Sequence, residues 1–308
     1  MTGRVHYRTF IFDSARWDGF QFRDGDIVVS TSPKCGTTWT QMLCALLIFQ
    51  DANFDRPLSE ISPWLDQQLR PLDAVVAQLD AQEHRRFIKT HTPLDGLPFD
   101  ERVTYLCVGR DPRDVFLSMD HHWSNLDMDV VRRARDAAVG SADAEELLAQ
   151  SSMVNRPDDV RDRFRGWVDN PLPPEQVSSS LRAALHHVDS FWRVRDRDNV
   201  ALFHYADLEA DLTGEMQRLA RVLAIDISAE LVQELASAAV FDAMKERSSD
   251  LAPNPGIWRD ADAFFHQGGS GQWRAVLTDD DVAHYDARLR ELAAPELVAW
   301  VQHGRVKE

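Results

Sequence analysis

The stretch from Asp26 to Phe49 constrains the fold more than any other part of the chain. It begins with an apolar run, Ile27-Val28-Val29, that predicts a short buried strand, and it continues with a tight turn at residues 32–36. From Thr37 onward the apolar residues recur at helical spacing. A strand followed by a turn and a helix directs backbone N–H groups and the positive end of the helix dipole at one point, where Lys34 adds a charge. The stretch therefore predicts a site for a phosphate or a sulfate.

Three more apolar runs have the length of buried strands, and helical patterns separate them. The four predicted strands are 27–29, 86–89, 103–108 and 200–205. Strands that alternate with helices predict an α/β fold with a central, mainly parallel sheet flanked by helices. We interpret residues 1–308 as a single domain, with a helical or irregular insertion or lid at about 125–176.

Polar side chains follow each predicted strand at the point where it ends. Lys34, Lys89 with His91, Arg110 and Tyr205 all lie at or just beyond these ends. In an open parallel sheet, ligands bind at the edge formed by the carboxyl ends of the strands. We therefore expect these side chains to share one site.

Composition limits the classes of partner. The chain has 34 Lys and Arg against 50 Asp and Glu, a net charge of −16, which argues against broad binding to nucleic acids. The three cysteines have no metal or disulfide spacing, and no His, Cys or Asp cluster has the spacing of metal ligands. The N-terminal residues lack the apolar core of a signal peptide, and the longest apolar run, 41–49, is too short to cross a bilayer. We expect a cytoplasmic protein without membrane or metal.

Five segments together carry a family resemblance. Residues 32–39, SPKCGTTW, differ from the nucleotide loop G-x-x-x-x-G-K-[ST], because the lysine precedes the glycine. The segment instead resembles the 5′-phosphosulfate loop of the cytosolic-type sulfotransferases. Four further segments are similar to that family's motifs in the same order: FIKTH at 87–91, YLCVGRDPRDVFLS at 105–118, FHYADL at 203–208 and GGSGQWR at 268–274. The resemblance implies a P-loop-like three-layer fold.

The same resemblance implies the reaction and its co-substrate. The donor would be 3′-phosphoadenosine 5′-phosphosulfate (PAPS), and the product 3′-phosphoadenosine 5′-phosphate (PAP). The sulfuryl group would move by direct in-line displacement to a hydroxyl or amine of a small acceptor, without a metal. Fixed donors suffice because a sulfuryl group in transfer carries less negative charge than a phosphoryl group.

The resemblance also assigns roles to residues. His91 would be the general base, since imidazole titrates near neutrality, and Lys34, Lys89 and Ser118 would complete the catalytic set. Trp39 and Phe241 would enclose the adenine, Tyr205 would bond to its edge, and Arg110 with Ser118 would hold the 3′-phosphate. The full donor-binding set is Lys34, Cys35, Gly36, Thr37, Thr38, Trp39, Arg110, Ser118, Tyr205, Phe241, Gly268, Gly269 and Arg274.

Four features depart from the family pattern. Cys35 replaces a serine, and a thiol at a helix N-terminus is a conceivable nucleophile. Ala239 replaces a threonine, and His266 with Gln267 replaces an Arg-Lys pair at the 3′-phosphate, for which Arg274 is a candidate substitute. The dimer motif K-x-x-x-T-V-x-x-x-E is absent, so no oligomeric state is predicted.

The acceptor is the least defined part of the prediction. His121, His122 and Trp123 follow the 3′-phosphate segment and suit a phenol or another alcohol, although they are equally consistent with a half-buried helix surface. The aromatic residues of the N-terminal lead-in, Phe12 and Trp17 among them, either form core or line the acceptor pocket. Two other functions stay open from the residues alone: a metal-dependent nucleotide kinase or hydrolase, and a silent nucleotide-binding protein.

Overall fold

A central parallel sheet organises the molecule. The computed structural model describes residues 3–151, 156–253 and 256–305. Its sheet has the strands β1 (Ile27–Ser30), β2 (Phe87–Thr90), β3 (Thr104–Gly109) and β4 (Val200–His204) in the order β2-β1-β3-β4, all parallel. The prediction of four strands in a mainly parallel sheet is confirmed, and no strand end differs from its predicted position by more than one residue.

Helices connect and cover these strands in the described parts of the chain. They are α1 (Thr37–Phe49), α2 (Leu58–Ile61), α3 (Leu72–Asp80), α4 (Pro112–Asn125), α5 (Met128–Val139), α6 (Ala144–Gln150), α7 (Val160–Val168), α8 (Leu181–Trp192), α9 (Tyr205–Ala210), α10 (Leu212–Val222), α11 (Ala229–Ser237), α12 (Phe241–Glu246), α13 (Ser248–Leu251), α14 (Asp279–Leu292) and α15 (Pro295–His303). None of the helices within the described residues is long and apolar enough to cross a membrane.

The two faces of the sheet pack against different helices. Alternate strand residues point to opposite faces, so Ile27 and Val29 contact the layer of α1, α10 and α11. Val28 points the other way, toward α3 and the end of α8. The result is three layers, with the sheet as the middle one, as the family resemblance implies.

Local sequence explains where the helices beside the site begin. Gly36, the residue before α1, has a left-handed backbone with φ 96°, and Lys34 shares that region with φ 69°. Pro112 occupies the first turn of α4, where its missing N–H costs nothing, and Asp111 caps the helix by accepting from the Arg113 N–H. A capping box of Thr278 and Asp281 opens α14. The sequence did not predict α15.

The segment predicted as an insertion is helical, containing α5, α6 and α7. It packs on other parts of the chain. The Asp127 N–H donates to Ile257 O at 2.8 Å, and Arg135 Nε donates to Phe10 O at 3.2 Å. Residues 152–155, inside this segment, lie outside the described residues. The single-domain boundary and a lid role stay predictions.

Candidate active site

A cavity of about 220 Å³ lies at the carboxyl edge of the sheet. Most of the predicted site residues line it: Lys34, Gly36, Thr37, Thr38, Trp39, Lys89, His91, Arg110, Ser118, His121, His122, Trp123, Tyr205 and Phe241. The turns after β1 and β3 enter it side by side, because β1 and β3 are neighbours in the sheet. From β1 the chain continues to β2 on one side of the sheet, and from β3 it continues to β4 on the other side. The point between β1 and β3, where the strand order reverses, is the usual position of a ligand crevice in such sheets.

The turn between β1 and α1 is shaped for close approach of a ligand. Gly36 provides the left-handed residue before the helix, and a Cβ there would lie 3.2 Å from the Tyr205 ring. Thr37 and Thr31 join their hydroxyls at 2.5 Å beneath the turn. Among the described residues, no side chain caps the N–H groups that begin α1. These backbone N–H groups therefore begin the helix beside the cavity without a side chain that accepts from them, as an anion site requires.

Arg110 ties this turn to a distant loop. Its Nη1 donates to Lys34 O and its Nη2 to Gly269 O, both at 3.0 Å, while its guanidinium lies 4.1 Å from the centre of the Tyr205 ring. Only 7% of the residue is exposed. Its Nε is buried without a hydrogen-bond partner among the described residues. A buried, unpaired guanidinium N–H is costly, and an anionic ligand would satisfy it.

Lys34 and Lys89 bring two ammonium groups to the cavity. Burial, with Arg110 and Lys89 nearby, lowers the pKa of Lys34 to about 7. Burial also lowers the pKa of Lys89 to about 8, against the effect of Asp66, which raises it. Lys34 Nζ lies 3.5 Å from His122 Nδ1, and Lys89 Nζ lies 4.5 Å from the centre of the Trp64 ring. Positive charges held together in this way favour the binding of an anion.

His91 has the hydrogen bonding of a general base. Its Nδ1 lies 2.7 Å from Thr31 O, and a carbonyl can only accept, so Nδ1 carries the proton. Nε2 then has a free lone pair. Burial, and next the Lys89 ammonium, hold the pKa of His91 well below its usual value, so the ring is neutral at pH 7. The structure thus presents an unprotonated imidazole nitrogen beside two lysines.

Aromatic rings form the walls beyond the anion loop. Trp39 meets Tyr205 edge to face, with ring centres 5.1 Å apart, and Phe241 begins α12. Phe241 is held by the glycine loop, since a Cβ on Gly268 would lie 2.6 Å from its ring. Trp39, Tyr205 and Phe241 all line the cavity, as a binding site for a planar base requires.

Four predicted donor-binding residues do not line the cavity. Cys35 is 2% exposed and packs in the core, and burial raises the pKa of its thiol to about 12. The buried thiol argues against the alternative of a nucleophilic Cys35. Gly268 and Gly269 support residues that do line the cavity. Gly268 packs against the Phe241 ring, and Gly269 O accepts a hydrogen bond from Arg110.

Arg274 does not take the place predicted for it at the 3′-phosphate. Its side chain is exposed and its guanidinium lies 4.6 Å from the centre of the Trp273 ring, outside the cavity. Arg113 stacks on the same indole at 3.8 Å. The cavity wall there is instead formed by His266 and Gln267, and the His266 ring stacks on His121 with centres 3.7 Å apart.

Sequence reasoning missed most of the apolar end of the cavity. Its walls come from the N-terminal lead-in, from the segments just before α3 and α5, from α5 itself and from the loop before residue 267. They include Ile11, Phe12, Leu69, Leu126, Val131, Ile257, Trp258, Phe264 and Phe265. Of the two lead-in aromatics that were expected either in the core or in the pocket, Phe12 lines the cavity, whereas Trp17 lies in the core with 1% of the residue exposed. Only the density of aromatics in these segments hinted at this role. Trp64 was missed as well, although it contacts both Lys89 and His91.

Within the described residues, no group of three or more His, Cys, Asp or Glu could hold a metal ion.

Comparison with known proteins gives consistent results. A family model described as the sulfotransferase domain matches residues 24–295. A glycolipid sulfotransferase of Mycobacterium bovis is 46% identical over 317 aligned residues, which cover 99% of this chain and 96% of the relative. A relative of the same description in Mycobacterium tuberculosis is 45% identical over 315 residues, with the same coverage of both chains.

Solved structures share the fold. A retinol dehydratase in complex with androsterone and PAP superposes with a TM-score of 0.68 at 22% identity, covering 92% of this chain and 86% of that one. A mouse sulfotransferase complexed with PAP gives a TM-score of 0.68 at 17% identity, covering 93% and 90%. At these identities the likeness concerns the fold alone.

Proposed function

Because the chain belongs to the sulfotransferase family, we propose that it transfers the sulfuryl group of PAPS to a hydroxyl of a glycolipid. The single observation that carries the catalytic part is the hydrogen bond from His91 Nδ1 to Thr31 O, which leaves Nε2 free beside Lys34 and Lys89. The glycolipid part is supported by the mycobacterial relatives and by the apolar end of the cavity.

The residues at the donor end fit PAPS. Two structural neighbours hold PAP on the same fold. Here the N–H groups that begin α1 and the Lys34 ammonium would bind the 5′-phosphosulfate, and the buried Arg110 Nε would gain the partner that it lacks in the described structure. Ser118 lines the cavity on α4 and would donate its hydroxyl to the 3′-phosphate. Trp39 and Phe241 would enclose the adenine, with Tyr205 at its edge.

His91 would act first on the acceptor. Its Nε2 takes the proton of the acceptor hydroxyl as the oxygen forms its bond to sulfur, and the bond from sulfur to the phosphate oxygen breaks. Lys34 then stabilises the charge on the departing phosphate, and Lys89 stabilises the sulfuryl oxygens in transfer. Such fixed charges are effective because the site is largely removed from water. PAPS supplies an activated sulfuryl group, so no covalent enzyme intermediate is needed.

The acceptor end fits an amphiphilic molecule. Its walls are apolar and aromatic, with Ile257 and Trp258 on one side and Phe12 and Val131 among the others. His122 adds a polar atom near the reaction centre, since it contacts Lys34 and burial holds its pKa well below the usual value, leaving a neutral imidazole. An apolar tail would lie along these walls while a sugar hydroxyl reaches His91. A phenol would fill only part of the same space.

Two experiments test the proposal. The first is calorimetric titration with PAP in the absence of metal. Micromolar binding supports the donor site, whereas no binding of PAP contradicts it.

The second experiment measures transfer from PAPS to a neutral glycolipid, with a simple phenol and the free sugar as matched acceptors, and detects the sulfated product by mass spectrometry. Preference for the glycolipid supports the acceptor class. Equal or better transfer to the phenol would contradict that class while leaving sulfotransfer intact.

A further inference from the structure

Asp66 is a buried carboxylate just behind the reaction centre. It is 0% exposed, and it does not line the cavity. Its Oδ2 accepts from the hydroxyls of Thr90 and Thr92 and from Trp17 Nε1, and its Oδ1 accepts from Trp64 Nε1 at 2.5 Å. Burying a carboxylate costs free energy unless it is hydrogen-bonded, and a fully bonded carboxylate holds the side chains that donate to it in fixed positions.

Two of these donors flank the general base. Thr90 is the last residue of β2 and Thr92 follows His91, so Asp66 anchors the chain on both sides of the imidazole. The Thr92 N–H also donates to Thr90 Oγ1 at 2.9 Å, which closes the turn around His91. The position of the His91 ring therefore depends on the carboxylate as well as on the bond to Thr31.

The third donor, Trp64, contacts both catalytic side chains. Its ring centre lies 4.5 Å from Lys89 Nζ and 4.7 Å from the centre of the His91 ring, which it meets edge to face at 85°. The backbone beside it is tied to β2, because the Lys89 N–H donates to Pro63 O at 2.9 Å. The bond to Asp66 thus fixes a ring on which the ammonium and the imidazole both rest.

We propose that Asp66 is a positioning residue of the transfer reaction: it fixes Trp64 and the turn from Thr90 to Thr92 so that Lys89 and His91 face the acceptor hydroxyl. It also supplies the counter-charge for Lys89. The inference rests on the proposed function, because it concerns the residues that carry out that reaction.

In the described part of the chain, cationic and imidazole side chains surround the two catalytic groups. Lys89, His187 and Lys34 lower the pKa of His91, Arg110 and Lys89 lower that of Lys34, and both lysines lower that of His122. Asp66 is the group that counteracts burial at Lys89, whose pKa it raises. Without this negative charge, we expect the pKa of Lys89 to fall further and the ammonium to be lost at a lower pH.

The variant Asp66→Asn tests the inference with little change in shape. If the amide oxygen keeps the three donors at the Oδ2 position, the NH₂ group faces the Trp64 N–H, and that hydrogen bond alone is lost. We expect kcat to fall about 10- to 100-fold, since a misplacement of about 1 Å can cost that much. PAP affinity should change less than about threefold, because the carboxylate does not line the cavity. The alkaline limb of the pH profile of kcat should move to lower pH.

Trp17→Phe is the matched control. It removes a hydrogen bond of the same type from the same carboxylate, and Trp17 is a core residue that does not line the cavity. We expect a lower melting temperature with kcat and its pH profile unchanged. Trp64→Phe keeps an aromatic ring at this position and leaves the charge of Asp66 in place, but it loses the indole N–H, so it should lower kcat without moving the alkaline limb. Asp66→Asn combined with Trp64→Phe should be less than additive in kcat.

Three outcomes would overturn the inference. If Asp66→Asn and Trp17→Phe lower kcat equally, in proportion to their melting temperatures and with one common pH profile, Asp66 contributes to stability alone. If Asp66→Asn does not fold, Trp64→Phe decides, and an unchanged kcat in that variant rejects the inference. If Asp66→Asn is as active as the wild type, the inference also fails. The wild-type rate with PAPS separately tests the proposed function. If the wild-type protein transfers no sulfuryl group from PAPS, the proposed function is wrong whatever the role of Asp66.

Discussion

The two ends of the cavity are built in different ways. At the donor end, Lys34 lies in the turn after β1, and Arg110 and Tyr205 directly follow β3 and β4. Hydrogen bonds such as that from the Arg110 side chain to Lys34 O fix them. At the acceptor end, side chains such as Val131 and Trp258 come from segments joined mainly to one another. The sheet therefore determines the donor end, whereas packing between loops determines the acceptor end. Substitutions at the donor end should change the affinity for PAP, and substitutions at the acceptor end should change KM for the acceptor.

The largest expected effect lies where the two ends meet. His91→Asn keeps a polar side chain but removes the base, and we expect kcat to fall by about 10²- to 10⁴-fold, the usual contribution of general-base catalysis. PAP affinity should stay within about threefold, because the lysines and the anion loop remain. Single-turnover kinetics and PAP titration measure the two quantities. Retention of full kcat would mean that another group takes the proton.

The donor end can be tested with two arginines on neighbouring segments. Arg110→Ala removes a buried guanidinium and its bonds to Lys34 O and Gly269 O, and we expect PAP affinity to fall about 10- to 100-fold, as for a lost charged hydrogen bond. Arg274→Ala is the matched control, since its side chain is exposed and outside the cavity. Titration of both variants with PAP checks the assignment. A large loss of PAP affinity in Arg274→Ala instead would indicate that Arg274 binds the 3′-phosphate.

The acceptor end should respond separately. Trp258→Ala removes one wall of the apolar part, and we expect KM for a glycolipid to rise about 5- to 50-fold, the range for a large apolar contact. PAP affinity should be unchanged within about twofold. Steady-state kinetics and PAP titration measure the two. A similar loss of PAP affinity would show that the ends are coupled and would break the comparison.

The smallest effect concerns the charge at the donor end. The pKa of Lys34 is lowered to about 7 and that of Lys89 to about 8, so both lose protons between pH 6 and 9. An anion favours the protonated form, and PAP affinity should therefore fall as pH rises through this range, by up to about tenfold per proton lost. Titration at pH 7.5 in buffers of different ionisation enthalpy should show proton uptake. Affinity independent of pH would place the lysines outside the donor site.

The same contrast explains how much the sequence could predict. The four strands and the residues Lys34, Arg110 and Tyr205 at their ends were predictable, because local periodicity and the rule for parallel sheets place them without knowledge of packing. The apolar walls were not. Leu126 pairs with Trp258, more than a hundred residues away along the chain, and no local pattern encodes such a contact.

Burial accounts for the errors within the site. The sequence shows Cys35 beside a helix N-terminus, but only the structure shows that its side chain turns into the core, where burial raises the pKa of the thiol. Arg274 matches a motif position, yet the left-handed turn at Gly271 and the stack on Trp273 carry it outward. Trp64 contacts Lys89 and His91, and Asp66 holds Trp64, from a segment without a regular helix or strand, which local sequence patterns do not single out.

The helix α15 has a consequence for the order in which the protein is made. Its Trp300 packs on Gly109, where a Cβ would collide with the indole, and Gly109 directly precedes Arg110. The His204 ring donates from Nε2 to Val301 O at 3.1 Å, beside Tyr205. A nascent chain that ends before Pro295 therefore has all four strands and the anion loop but lacks the support beneath two donor-site residues. We expect the ability to bind PAP to arise only when translation has passed α15, long after the sheet has been synthesised.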